Sequence, residues 1–310
     1  MKLELVDRIT ELPYRLRTAM RADSATWPLT PAELATVKIV WPSHPQWALA
    51  EGITETLSTG LDRLGVLRRE STAQEHRGVI MLECLVNGRP LRVALDYMDR
   101  QHAINHDALA ECSLYIKLQF AEEGYDDRRI VPGGYPVTGL DYYRYRVPFR
   151  ERFKRNRRID VLGRFGFKFQ GALRREAVRL LSDAEDIDYV GAGKRVRYSR
   201  FLREAASARL CLDLPGNGPF TFRIGEFLGL GTCMIAPRYT TSLPVPLVPD
   251  VHYVAIAHDL SDLLEKARYY IAHDEEREAI AKAGTDYFDR YLHCDQLAGY
   301  YITRILQIES

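Results

Sequence analysis

The chain has 310 residues, 46% hydrophobic and 27% charged, with 43 Lys and Arg against 42 Asp and Glu. That length suits two domains of roughly 150 residues each, and a net charge of +1 gives no global attraction to nucleic acid or an anionic membrane. No run approaches the ~20 apolar residues of a membrane helix. Five widely spaced cysteines without a CxxC pair read as reduced core residues of a cytoplasmic protein, not a metal or disulfide framework.

The opening segment, MKLELVDRITELPYRLRTAM, is charged throughout and reads as an amphipathic helix, without the apolar stretch of a signal peptide. VKIVW (37–41) is a short apolar run followed by His44, a second-rank base candidate, and a helical pattern covers about 47–63. Residues 78–96 hold two β-rich runs separated by Asn87-Gly88, the strongest short hairpin pattern. A helix follows over about 105–112, and SLYIKL (113–118) reads as a strand with Lys117 inside it. RIVPGGYPV adds a further short strand.

The character then changes. Residues 144–158, RYRVPFRERFKRNRR, carry eight Lys and Arg against one Glu. Such a block reads as a solvated junction between an acceptor domain, 1–150, and a nucleotide domain, 151–310. The sharper alternative is a basic patch for a polyanionic acceptor or a membrane surface. Strands at 158–163, 186–191, 209–214, 232–236 and 252–257 alternate with helices at 171–183, 198–207, 221–229 and 259–272. That alternation implies a parallel sheet with helices on both faces. A helix pair closes the chain from about Asp274 to Ile308.

Three segments carry candidate chemistry. GRFGFKFQGALRRE (163–176) follows a strand and opens a helix, and Arg164 and Lys168 flank its turn, where two cations meet a diphosphate. It is not a G-x-G-x-x-G fingerprint. In PGNGPFTFRIGEFLGLG, the backbone near Phe220, Thr221 and Phe222 opens a helix with Thr221 as N-cap. Arg223 in the first turn opposes the helix dipole and so implies an anion, and Glu226 is placed to accept from a ribose. In ALDYMDRQH (94–102), Asp96 ends a strand, followed by Asp99, Arg100 and His102. A strand-end carboxylate suits a general base. The histidines and carboxylates show no metal-ligand spacing; Asp186 and Asp188 lie where a strand begins and are poorly placed to chelate together. No metal is expected in catalysis and no cofactor is implied.

The segment from about Ile159 to Ile308 resembles the nucleotide-binding half of a GT-B glycosyltransferase, in the CAP10-like, exostosin-like and CgeB-like group. The residues that carry this are GPFTFRIGEFLGLGTCMI, then HYVAIAHDLSDLLEKARYYIAHDEEREAIAKAG, then the closing YLHCDQLAGYYITRIL. The resemblance implies an α/β protein of two Rossmann-like domains facing a cleft, with the last helix packing back on the N-terminal domain. It implies transfer of a sugar, hexosyl or pentosyl, from a nucleoside diphosphate sugar, UDP-linked by default, to a hydroxyl on a glycan, a lipid-linked sugar or modified DNA. Asp96 takes the place of the group's strand-end base, although position 95 is Leu where the group usually has Arg. Glu226 matches the second acid of a paired-glutamate signature whose first position, 218, is Gly. A non-catalytic sugar-nucleotide binder and a GT-B-type epimerase are the competing classes.

Overall fold

A computed structural model of the chain describes residues 26–42, 48–70, 76–191 and 195–308. The opening amphipathic segment and His44 lie outside the described residues. Two compact units emerge, the first built from the described parts of Arg21–Leu140, Thr240–Pro246 and Arg290–Ser310, the second from Asp141–Tyr239 and Leu247–Asp289.

The first unit holds α1 (Pro31–Thr36), β1 (Val37–Pro42), α2 (Ala48–Arg63), β2 (Leu67–Glu70), β3 (Val79–Val86), β4 (Arg89–Asp96), α3 (His106–Glu111), β5 (Leu114–Lys117) and β6 (Ile130–Pro132). Thr30 and Glu33 close a reciprocal capping box at the start of α1. Its six strands run in the order β2-β1-β3-β4-β5-β6. Asn87 and Gly88 both take positive φ, 51° and 80°, as the two-residue turn between β3 and β4 requires. That hairpin places β3 antiparallel to both β1 and β4, so the sheet is mixed. Parallel pairing is confined to β1 with β2 and to β4-β5-β6.

The second unit contains α4 (Asp141–Phe153), β7 (Ile159–Gly163), α5 (Gly171–Asp183), β8 (Tyr189–Gly191), α6 (Tyr198–Ala206), β9 (Ala208–Leu212), α7 (Arg223–Leu230), β10 (Cys233–Pro237), β11 (Val254–Ile256), α8 (Leu263–Ala272) and α9 (Asp274–Tyr287). Its five strands are all parallel, in the order β11-β10-β9-β7-β8. Two crossovers therefore diverge between β7 and β9, the switch point of a doubly wound sheet. Val161, Leu210, Leu212, Ile235 and Val254 fill its core with Ala177 and Leu181 of α5 and Leu263 and Ala267 of α8. After a π-helical turn at Phe288–Leu292 the chain re-enters the first unit as α10 (Cys294–Leu306), which packs on α2.

The basic run is not a linker. Most of it is α4, inside the second unit, where Tyr142, Tyr143 and Arg146 are buried. The aromatic residues of 142–153 give that helix an apolar face which the charge count hides. Tyr142 donates to the carbonyls of Gly225 and Glu226 at 3.0 and 3.2 Å. A Cβ at Gly229 would collide with the Tyr142 hydroxyl and the Phe288 ring, so this glycine lets α4 and α7 approach. Gly231 ends α7 with φ 72°, a left-handed cap.

Candidate donor site at the β7/β9 switch point

Ligands of open α/β sheets sit beyond the carboxyl ends of the strands where the crossovers diverge. Here that place is framed by the segment after β7, Arg164–Gln170, and the segment after β9, Asp213–Phe222. One side chain joins the two. Arg174 donates to the carbonyls of Gly166, Leu214 and Pro215 at 2.7, 3.0 and 3.1 Å. It shares the buried face of α5 with Ala177 and Leu181. Burial, followed by the neighbouring Arg223 charge, pushes its pKa down to about 10.

Asp213 ends the β9 run with no exposed surface. Its Oδ1 accepts from the Thr221 hydroxyl at 2.7 Å, and its Oδ2 from the Tyr239 hydroxyl at 2.9 Å. Arg223 Nη1 stands 3.9 Å from Oδ1. Burial raises the carboxyl pKa, and Arg223 with the two hydroxyls opposes that rise. The Arg223 guanidinium lies 5.7 Å from the Phe165 ring centre and 5.5 Å from that of Phe222. This cation is thus set between two rings and beside one buried carboxylate, at the first turn of α7.

Thr221 does not cap α7 as its own N-cap; Phe222 holds that position. The Thr221 hydroxyl accepts from the Arg223 N–H at 3.3 Å while donating to Asp213. It ties the helix start to the strand end. Phe220 is buried, with its ring 4.9 Å from Tyr239, and Phe222 is exposed.

Glu226 has no exposed surface. Oε1 accepts from the Tyr198 hydroxyl at 2.6 Å, and Oε2 has no hydrogen-bond partner. Burial pushes its pKa up to about 7, against the lowering effect of Tyr198 and Arg223. A buried orphan oxygen costs stability unless something satisfies it.

The other two cations differ. Lys168 is exposed, with Nζ 5.3 Å from the Phe169 ring centre, and among the described residues no carboxylate pairs with it. Arg164 is engaged: Nε and Nη2 donate to the two oxygens of Glu204 at 2.6 and 3.2 Å. It braces β7 against α6 and shares Glu204 with Arg200.

Asp96 also departs from its expected role. It ends β4, but it is fully buried. Lys117 Nζ and the Tyr115 hydroxyl reach Oδ2 at 2.8 and 2.7 Å, and the Met98 N–H reaches Oδ1 at 2.8 Å. A general base must come within hydrogen-bond reach of the proton it takes, and this carboxylate is sealed in a structural ion pair. Lys117 is accordingly a core residue. Asp99, three residues on, is exposed and accepts from the Tyr135 hydroxyl at 3.3 Å. Desolvation of its carboxyl raises its pKa.

Sequence reading missed Arg174, Asp213, Tyr198 and Tyr239. Two signals were available. Arg174 falls on the apolar stripe of α5, and Asp213 interrupts the apolar run RLCLDL. Among the described residues one group, His293, Cys294 and Asp295, brings metal-type ligand atoms within 4.8 Å of one another. His293 Nδ1 accepts from the Asp295 N–H at the start of α10, and Asp295 takes Arg63 at 3.0 Å. Also among the described residues, no helix is long and apolar enough to cross a membrane.

Residues 55 in extent are 46% identical to Protein O-glucosyltransferase 2 of Danio rerio, covering 18% of this chain and 11% of that protein. The crystal structure of the pneumococcal O-GlcNAc transferase GtfA in complex with UDP and GlcNAc is similar over 82% of this chain and 55% of that one. The TM-score is 0.37 and the identity 12%. The model of the family described as glycosyl transferase-like matches residues 148–303, just over half of the chain, spanning the switch-point site from β7 to α10. The chain belongs to the glycosyl transferase-like family.

Proposed function

We propose that the protein is a metal-independent glycosyltransferase that takes a nucleoside diphosphate sugar, UDP-linked, at the β7/β9 switch point. The observation that carries this is the pair at the start of α7, an Arg223 cation against the helix dipole and an orphan buried Glu226 oxygen, with Lys168 exposed on the segment after β7. Arg223, Lys168 and the main-chain N–H groups of 220–222 bind the diphosphate and stabilise the leaving phosphate as the glycosidic bond breaks. Glu226 accepts from a ribose hydroxyl through Oε2. Asp213 and Thr221 orient Arg223. The acceptor hydroxyl belongs to a glycan or a lipid-linked sugar.

Thermal-shift titration with UDP, GDP and ADP sugars tests the reading, because a ligand of the folded state raises its melting temperature by mass action. UDP sugars are expected to shift wild type and to lose that shift in Arg223→Ala. Slow release of UDP from the donor identifies a transferase. An isomerised donor identifies an epimerase, and a shift without turnover identifies a binder.

A further inference from the structure

The second unit carries a cavity of about 620 Å³ between α4 and α6. Its size is that of a ligand pocket. Arg152 of α4 and Arg195, Arg197, Arg200 and Arg203 of the α6 region line it. All five are exposed. Arg200 pairs with Glu204 at 2.8 Å, and Glu204 is shared with Arg164. Among the described residues, no carboxylate pairs with the other four. Like charges crowded into one concavity favour a polyanion inside it. The apolar wall is Tyr145 and Phe149, stacked at 5.3 Å with 22° between ring planes. Guanidinium groups continue along the same helix, Arg144 5.7 Å from the Tyr145 ring centre and Arg152 5.5 Å from that of Phe153.

We propose that this cavity is a binding site for single-stranded nucleic acid, with phosphates on the unpaired arginines and an unstacked base against Tyr145 and Phe149. Arginine forks match phosphate oxygens bidentately. Aromatic faces beside a cationic groove take bases without sequence preference. The concavity favours a strand over a membrane, whose surface cannot enter it, and over a duplex, whose bases are stacked inward. The near-zero net charge of the chain does not oppose this, because the excess is local to the five arginines that line the cavity.

Fluorescence anisotropy with a labelled oligo(dT) of roughly twenty nucleotides tests the site. Four phosphate contacts give a log–log salt slope of about −3, at about −0.7 per phosphate for single strands. The triple variant Arg152→Gln/Arg195→Gln/Arg197→Gln, all exposed positions outside the donor site, should bind at least about tenfold more weakly and bring the slope near −1. Its melting temperature serves as the folding control, and the single Arg195→Gln variant, expected to lower the slope by about 0.7, is the second arm. Absence of binding by wild type, or unchanged binding by both variants, overturns the proposal. Equal competition by inorganic polyphosphate per phosphate overturns the base-stacking assignment. Preferential binding to phosphatidylserine vesicles overturns it in favour of a membrane surface, and stoichiometric displacement by UDP-glucose overturns it by making the cavity part of the donor site.

Discussion

Arg223 stands 3.9 Å from Asp213, a carboxylate with no exposed surface whose two oxygens already take Thr221 and Tyr239. The distance is long for an ion pair. It leaves the guanidinium its own donors for a ligand while holding it in place by charge. Arg223→Ala should lower sugar-transfer turnover on the order of a hundredfold or more, since one oriented charge donor contributes about 2.7–4 kcal/mol. Full transfer activity in the variant, measured by UDP release, would falsify the assigned role.

Asp213→Ala removes the acceptor of two hydroxyls, Thr221 and Tyr239. Leaving buried donors unsatisfied costs about 1–3 kcal/mol. Urea unfolding should show a loss in that range, together with a raised KM for the donor because Arg223 is no longer held. An unchanged unfolding midpoint would contradict the network.

Glu226 makes stability depend on pH. Burial raises its pKa to about 7 in the folded protein from an ordinary value of 4.5. A raised carboxyl contributes stability that is fully present below the unfolded value and lost as pH rises through the folded one. Wild type should therefore lose stability relative to Glu226→Gln between pH 4.5 and about 7, by on the order of 3 kcal/mol. Melting curves of both proteins across that window check this. Parallel curves would show that the carboxyl is not raised.

Asp96 and Lys117 form a fully buried ion pair. Lys117→Met strands a buried Asp96 charge and should cost about 3–5 kcal/mol, seen as a large drop in melting temperature.

Much of the second unit was readable because its strands carry apolar blocks buried on both faces, such as VLG (161–163) or TCMIA. The hairpin was readable because only Asn87-Gly88 meets the turn's demand for two positive φ values. β2, Leu67–Glu70, escaped because LRRE carries two Arg and a Glu on a sheet edge. The α4 helix escaped because its charges outnumber its aromatics, and charge count says nothing about which face is buried. Among the candidate residues, Lys168 drew notice as a cation beside a turn and Arg223 as a cation in the first turn of a helix. Asp96 misled because a strand-end Asp looks the same whether it opens to solvent or meets a lysine one strand over. Lys117 of β5 lies directly across from it in the sheet register, and no local pattern reveals that pairing.

Arg174 clasps Gly166 on one loop and Leu214 and Pro215 on the other. The two walls of the crevice are thereby fixed before any substrate arrives. Arriving ligand need not freeze either loop, so little ordering entropy is charged against its binding. Variation in donor preference should then come from the side chains that project off this rigid floor, while the floor itself stays the same shape.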